Sequence, residues 1–122
     1  MDNYDEFLAD IAEIAEGLAN LGKEAYYEYM GPVERLCDNS STASENEVGL
    51  MLDYLLSFCG YEKVLGLYKK VCRTFYNKYP ECISDYIVYY LEEYEPEKYE
   101  ELKRRAVIDK WNSFIWNKRP EG

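Results

Sequence analysis

Apolar residues recur through this chain at the spacing of an α-helix, and nowhere with the two-residue alternation of a half-buried strand. Tyr4, Phe7, Leu8, Ile11, Ile14, Ala15, Leu18 and Leu21 fall on one face at 100° per residue, while Asp2, Asp5, Glu6, Asp10, Glu13 and Glu16 fall opposite. Gly22 is expected to end this first helix. Residues 23–30 then read as a short helix stopped by Gly31-Pro32, followed by a turn or two carrying Val33, Leu36 and Cys37. DNSSTAS, residues 38–44, is the clearest loop, and Ser44 with Glu47 forms a capping box for the next helix.

That helix sets Val48, Met51, Leu52, Leu55, Phe58 and Cys59 on a broad face, and with Leu50 and Leu56 it is expected to be the most buried of all. After Gly60, Val64, Leu65, Tyr68, Val71, Cys72, Phe75 and Tyr79 share one side, and Lys63, Lys69, Lys70, Arg73 and Lys78 share the other. Pro80 opens a further helix carrying Cys82, Ile83, Tyr86, Ile87, Tyr90, Leu91 and Tyr94, and Pro96 suits the first turn of a last helix running to about Trp116. The last helix changes phase between Tyr99, Leu102, Ala106 and Val107, Ile108, Trp111, Phe114, Ile115, which predicts a kink or two packing partners. The expectation is an all-α fold, a compact single-domain bundle of five to seven helices spanning residues 1–122.

A chain of 122 residues buries roughly two thirds of its unfolded surface, enough for a core without metal or disulfide staples. The N-terminus has acids where a secretory leader needs bases, and no run approaches the roughly 18 apolar residues of a membrane span, so a soluble cytoplasmic protein without membrane contact is expected. Cys37, Cys59, Cys72 and Cys82 form no CxxC pair and lie on or beside apolar stripes, the pattern of free thiols used as small hydrophobes.

The chain contains no histidine. That removes Ser-His and Cys-His nucleophiles, histidine acid-base catalysis and histidine-containing zinc or di-iron sites together. Carboxylates adjacent in sequence, such as Glu92 with Glu93, diverge by about 100° on a helix and do not converge on a substrate. No glycine-rich phosphate loop and no calcium-loop spacing occurs. The expectation is therefore a non-enzyme, with no catalytic, cofactor or metal site.

Charge comes in blocks. Residues 1–62 carry 14 acids and 2 bases, residues 63–80 carry 5 bases and no acid, residues 81–101 carry 8 acids and one lysine, and residues 102–119 carry 6 bases and one aspartate. The whole chain carries −10. A field of that sign disfavours direct nucleic-acid binding and steers towards a protein partner with a basic surface. The blocks can also pair with one another inside the fold.

Tyrosine is the compositional outlier, at 14 residues. In YIVYYLEEYEPEKYEEL, residues 86–102, Tyr86, Tyr90 and Tyr94 belong to an apolar stripe and are expected to be at least half buried. Tyr89 lies at its edge, and Glu92, Glu93, Glu95 and Glu97 crowd the junction at Pro96. In EAYYEY the rings of Tyr26, Tyr27 and Tyr29 point three ways, so at least one is expected in solvent beside Glu28. Tyrosine offers large rigid contact area, and acids around it attract a basic partner. Candidate partner-binding residues are thus Glu6, Asp10, Glu13, Tyr27, Glu28, Tyr89, Glu92, Glu93, Glu95, Glu97 and Trp116.

Glu6, Asp10 and Glu13 repeat at four and three residues, or axial steps of about 6 and 4.5 Å, a loose match to a row of phosphates about 3.4 Å apart. In size, charge and helicity the chain is similar to the small acidic anti-restriction and anti-CRISPR proteins of phages and mobile elements. That resemblance implies an inhibitor that mimics nucleic acid in the basic groove of a defence enzyme. An immunity or antitoxin protein masking a toxin, and a helical adaptor that forms a homodimer through Phe114 and Trp116, are the alternatives.

Overall fold

The structure is a computed structural model that describes the backbone of residues 2–117 and the side chains of residues 3–106. Its described residues form five α-helices and no strand: α1 (Asp2–Asp38), α2 (Glu45–Leu56), α3 (Glu62–Phe75), α4 (Pro80–Tyr94) and α5 (Pro96–Asn117). The chain divides into two compact units, Met1–Ile87 and Val88–Gly122, with the division inside α4.

In the first unit α3 packs against both α1 and α2. Val33 of α1, Val48, Leu52 and Leu55 of α2, Val64, Val71 and Phe75 of α3, and Ile83 of α4 have no solvent exposure. The most buried helix is therefore α3, with Tyr68 and Cys72 added, rather than the expected α2, whose Leu50 is exposed. A helix between two others is covered on two sides, whereas α2 at an edge shows one flank to water.

α1 is a single helix of 37 residues, which at 1.5 Å per residue is about 55 Å long. The expected breaks at Gly22 and Gly31-Pro32 do not occur. Gly22 is buried because Tyr61 sits against it: a Cβ there would lie 2.5 Å from the Tyr61 Cβ. The glycine thus permits a close helix approach and does not end a helix. Pro32 withholds one N–H from the Glu28 carbonyl, and burial of Val33 in the next position holds that turn in place.

The punctuation further on follows the sequence. The Glu47 N–H donates to the Ser44 hydroxyl at 3.1 Å and the Ser44 N–H donates to the Glu47 carboxylate at 3.3 Å, a complete capping box. Residues 39–42 form the turn before it, 57–60 the turn at Gly60, and Pro80 and Pro96 open α4 and α5. The turn after α1 is stapled from a distance. Lys78 donates to the carbonyls of Ser40, Ser41 and Ala43 at 2.8, 3.0 and 3.1 Å, and the Tyr79 hydroxyl donates to Ala43 at 2.6 Å.

All four cysteines are free thiols; Cys59 and Cys72 are buried, Cys37 and Cys82 half buried. Burial pushes the Cys59 thiol up to about 12 and Cys72 to about 11, so both stay protonated and inert at neutral pH. The buried Tyr68 hydroxyl donates to the Tyr86 carbonyl, and the Tyr86 hydroxyl donates to Asp53 at 2.6 Å. The second unit holds the remainder of α4 and α5, which carry local contacts described below.

Candidate partner-binding surface

The apolar stripe of α1 runs the length of the helix, but only its second half is covered. Gly22, Ala25 and Val33 are buried, whereas every described residue from Asn3 to Leu21 is exposed. The expected core face of that segment lies bare: Tyr4, Ile14 and Leu18 are 63–65% exposed, and Phe7, Leu8, Ile11 and Leu21 about half exposed. Seven large apolar side chains on one face exceed the patches of a few hundred Å² that monomers ordinarily leave in water.

Opposite the stripe, Asp5, Glu6, Asp10, Glu13 and Glu16 are all exposed, and residues 3–21 contain no base. None of these acids makes an ion pair among the described residues. Because α1 continues through Gly22, the same back also carries Glu24, Tyr27 and, at its edge, Glu28. Tyr27 is the exposed ring of its cluster, and Tyr26 and Tyr29 are half buried. Tyr29 stacks on Tyr54 of α2 at 5.9 Å between ring centroids, and Tyr26 meets Tyr27 edge-on while lying under the Lys63 ammonium. Continuity of the helix thus joins Glu6, Asp10, Glu13, Tyr27 and Glu28 on one side, which an interrupted helix would have separated.

The other candidates lie in the second unit. Tyr86, at the end of the first unit, and Tyr90 and Tyr94 are half buried, as the periodicity predicts, and Tyr89 is exposed. Tyr90 stacks on Tyr94 and donates to Glu95 at 2.8 Å. Glu92, Glu93 and Glu97 are exposed. The acids at and after the junction are partly matched by bases one turn on: Lys98 with Glu95 at 3.9 Å, Lys103 with Glu100 at 2.8 Å and Arg105 with Glu101 at 3.1 Å. Hydrogen bonding to Glu100 holds the Lys103 ammonium above its usual range. Such exposed pairs add little stability, yet they offset part of the negative charge a partner meets. The Trp116 side chain and the Phe114 patch lie outside the described residues, as does the phase change of α5.

The five bases expected on one helix face are divided in use. Lys78 follows the end of α3 and donates to the loop carbonyls, Lys63 lies over the Tyr26 ring, and Lys69, Lys70 and Arg73 are exposed on α3. Sequence periodicity grouped these five bases without separating the structural ones. A shallow apolar groove between the end of α1 and α2, lined by Pro32, Leu36, Leu50, Met51 and Tyr54 with Arg35 on its rim, was not legible from either helix alone.

Among the described residues no three potential metal-ligating side chains come together, and no helix is long and apolar enough to cross a membrane. Comparison with known proteins finds no matching family model, no matching curated protein and no matching solved structure.

Proposed function

We propose that this protein is a small acidic inhibitor, acting in the cytoplasm by binding rather than catalysis, that covers the basic surface of a nucleic-acid-processing enzyme of the defence type. The observation that carries this reading is the bare acidic back of α1, five carboxylates between Asp5 and Glu16 with no base among residues 3–21. Such a face is attracted to a groove built for phosphates, and the attraction weakens as salt rises. The junction acids Glu92, Glu93, Glu95 and Glu97 are the secondary contact, since Lys98 already pairs with Glu95.

The test is capture of partners from lysate at low and high salt, with elution by competing duplex DNA. A nucleic-acid enzyme displaced by DNA, and no longer captured by the triple variant Glu6→Lys/Asp10→Lys/Glu13→Lys, supports the proposal. Capture unchanged in that variant sinks it. The exposed apolar stripe favours a second reading, a helical adaptor or toxin-masking protein, for which the captured partner is salt-resistant and indifferent to DNA.

A further inference from the structure

The bare stripe repeats every seven residues. Tyr4, Ile11 and Leu18 form one series and Phe7, Ile14 and Leu21 the other, the alternation of four and three that seats one helix along another. The same repeat continues into Ala25, where the chain's own helices cover it. We infer that residues 3–21 of two copies pair antiparallel, stripe against stripe, so that the protein is a homodimer joined by its N-terminal arms.

Orientation follows from where the body sits. From Gly22 onward the stripe side of α1 is occupied by Tyr61 and by α3. In a parallel pair each body would fall where the other copy's α1 must continue. In an antiparallel pair each body lies beyond the far end of the other arm, and the arms overlap over residues 3–21, about 28 Å at 1.5 Å per residue.

The sequence is complementary to itself in that register. Tyr4 meets Leu21 of the partner subunit, Phe7 meets the partner's Leu18, and Ile11 meets the partner's Ile14, with the three reciprocal layers making six. On one flank Leu8 stands opposite the partner's Ala15, large against small. On the other, Asp10, the one acid bordering the seam, stands opposite the partner's Gly17. That glycine has no counterpart to Gly22's reason within its own chain, since a Cβ at position 17 would meet nothing within 4 Å. Seven apolar side chains from each copy approach the roughly 800 Å² per partner of a standard interface.

Charge keeps this arrangement and the acidic back compatible. Asp5, Glu6, Glu13 and Glu16 point away from the seam, so the two backs face outward on opposite sides of the pair. The two backs of the pair then display eight carboxylates along about 28 Å, one per about 3.5 Å, against one charge per about 1.7 Å of duplex DNA. The inference rests on the apolar stripe and not on the proposed inhibitor function, and the two fail separately: a dimer can lack a basic partner, and a monomer can bind one.

The test is light scattering on the eluting full chain across micromolar to submillimolar concentrations. The expected mass is twice 14.4 kDa, or 28.8 kDa, at the upper end. Ile11→Asp/Leu18→Asp is expected to weaken association by at least about a hundredfold, because it places two charges in an apolar seam. Its urea midpoint, read at monomeric concentrations, stays that of the parent, since both residues are exposed in the monomer. Glu6→Lys/Glu13→Lys leaves the mass doubled. Raising salt from 0.05 to 0.5 M leaves the dimer as tight or tighter. For orientation, chains carrying Tyr4→Cys and chains carrying Leu21→Cys are mixed and mildly oxidised; cross-linking between the two, with little within either, is expected. A 14.4 kDa species at all concentrations, a dimer untouched by the aspartates, or cross-linking of each variant mainly with itself overturns the inference.

Discussion

Residues 3–21 and residues 22–38 belong to one helix with one apolar stripe, yet the first half is bare and the second forms part of the core. The helical period is the same in both halves, although the buried residues of the second half, Gly22, Ala25 and Val33, are smaller than the bare ones of the first. What differs is the opposite party: α3 and Tyr61 reach the second half and nothing described reaches the first. Amphipathicity therefore specifies which face of a helix seeks cover, but not whether the same chain supplies it. An intact pattern that no described element covers is what the proposed assembly through the arm rests on.

The largest contrast between the halves is expected in stability. Leu52→Ala, in the body that covers the second half, should lower the unfolding free energy by about 2–5 kcal/mol in urea titration, because a fully buried side chain leaves a cavity. Leu18→Ala, read at concentrations where the chain is monomeric, should change it by under about 0.5 kcal/mol. Equal losses would mean that the arm is covered within the chain after all.

The two glycines sharpen the same contrast. Gly22→Ala must push Tyr61 aside and is expected to cost about 1–3 kcal/mol, as overpacking does. Gly17→Ala, read where the chain is monomeric, meets open space and should raise helicity, by up to about 1 kcal/mol of propensity, in far-ultraviolet circular dichroism. Opposite signs at two glycines of one helix, five residues apart, follow only if one half is packed and the other free.

These glycines also show what the sequence could and could not reveal. The helical period, the Ser44 capping box, the Gly60 turn and the starts at Pro80 and Pro96 are local physics, and each appears where the residues place it. Gly22 and Gly31-Pro32 carry the same local signals as a helix end. The packing of Tyr61 on one and the burial of Val33 beside the other reverse their meaning. Likewise Lys78 reads as one of five bases on a helix face, and only the loop 38 positions away makes it a staple. The acidic back from Asp5 to Glu28 was legible in pieces, and continuity through Gly22 joins them.

Smaller effects refine the body side of the contrast. Lys78→Met should cost about 1 kcal/mol, since three carbonyls, of which only that of Ala43 is in a part-buried contact, lose a charged donor while the aliphatic stem is kept. Of the four thiols, Cys37 and Cys82 should react with a disulfide reagent at pH 8 well before Cys59 and Cys72. Burial leaves the latter two without thiolate until the pH nears about 12 and about 11. Four thiols reacting at one rate would mean that the core around Cys59 and Cys72 is open to solvent.

The most direct test of assembly through the arm is hydrogen exchange of the backbone amides at two protein concentrations. Amides in residues 22–38 should be protected equally at both, because their cover is intramolecular. Amides in residues 5–21 should exchange fast in dilute solution and become protected by tenfold or more at high concentration, as the bare stripe finds its partner copy. Protection of residues 5–21 that is the same at both concentrations, high or low, would contradict the account.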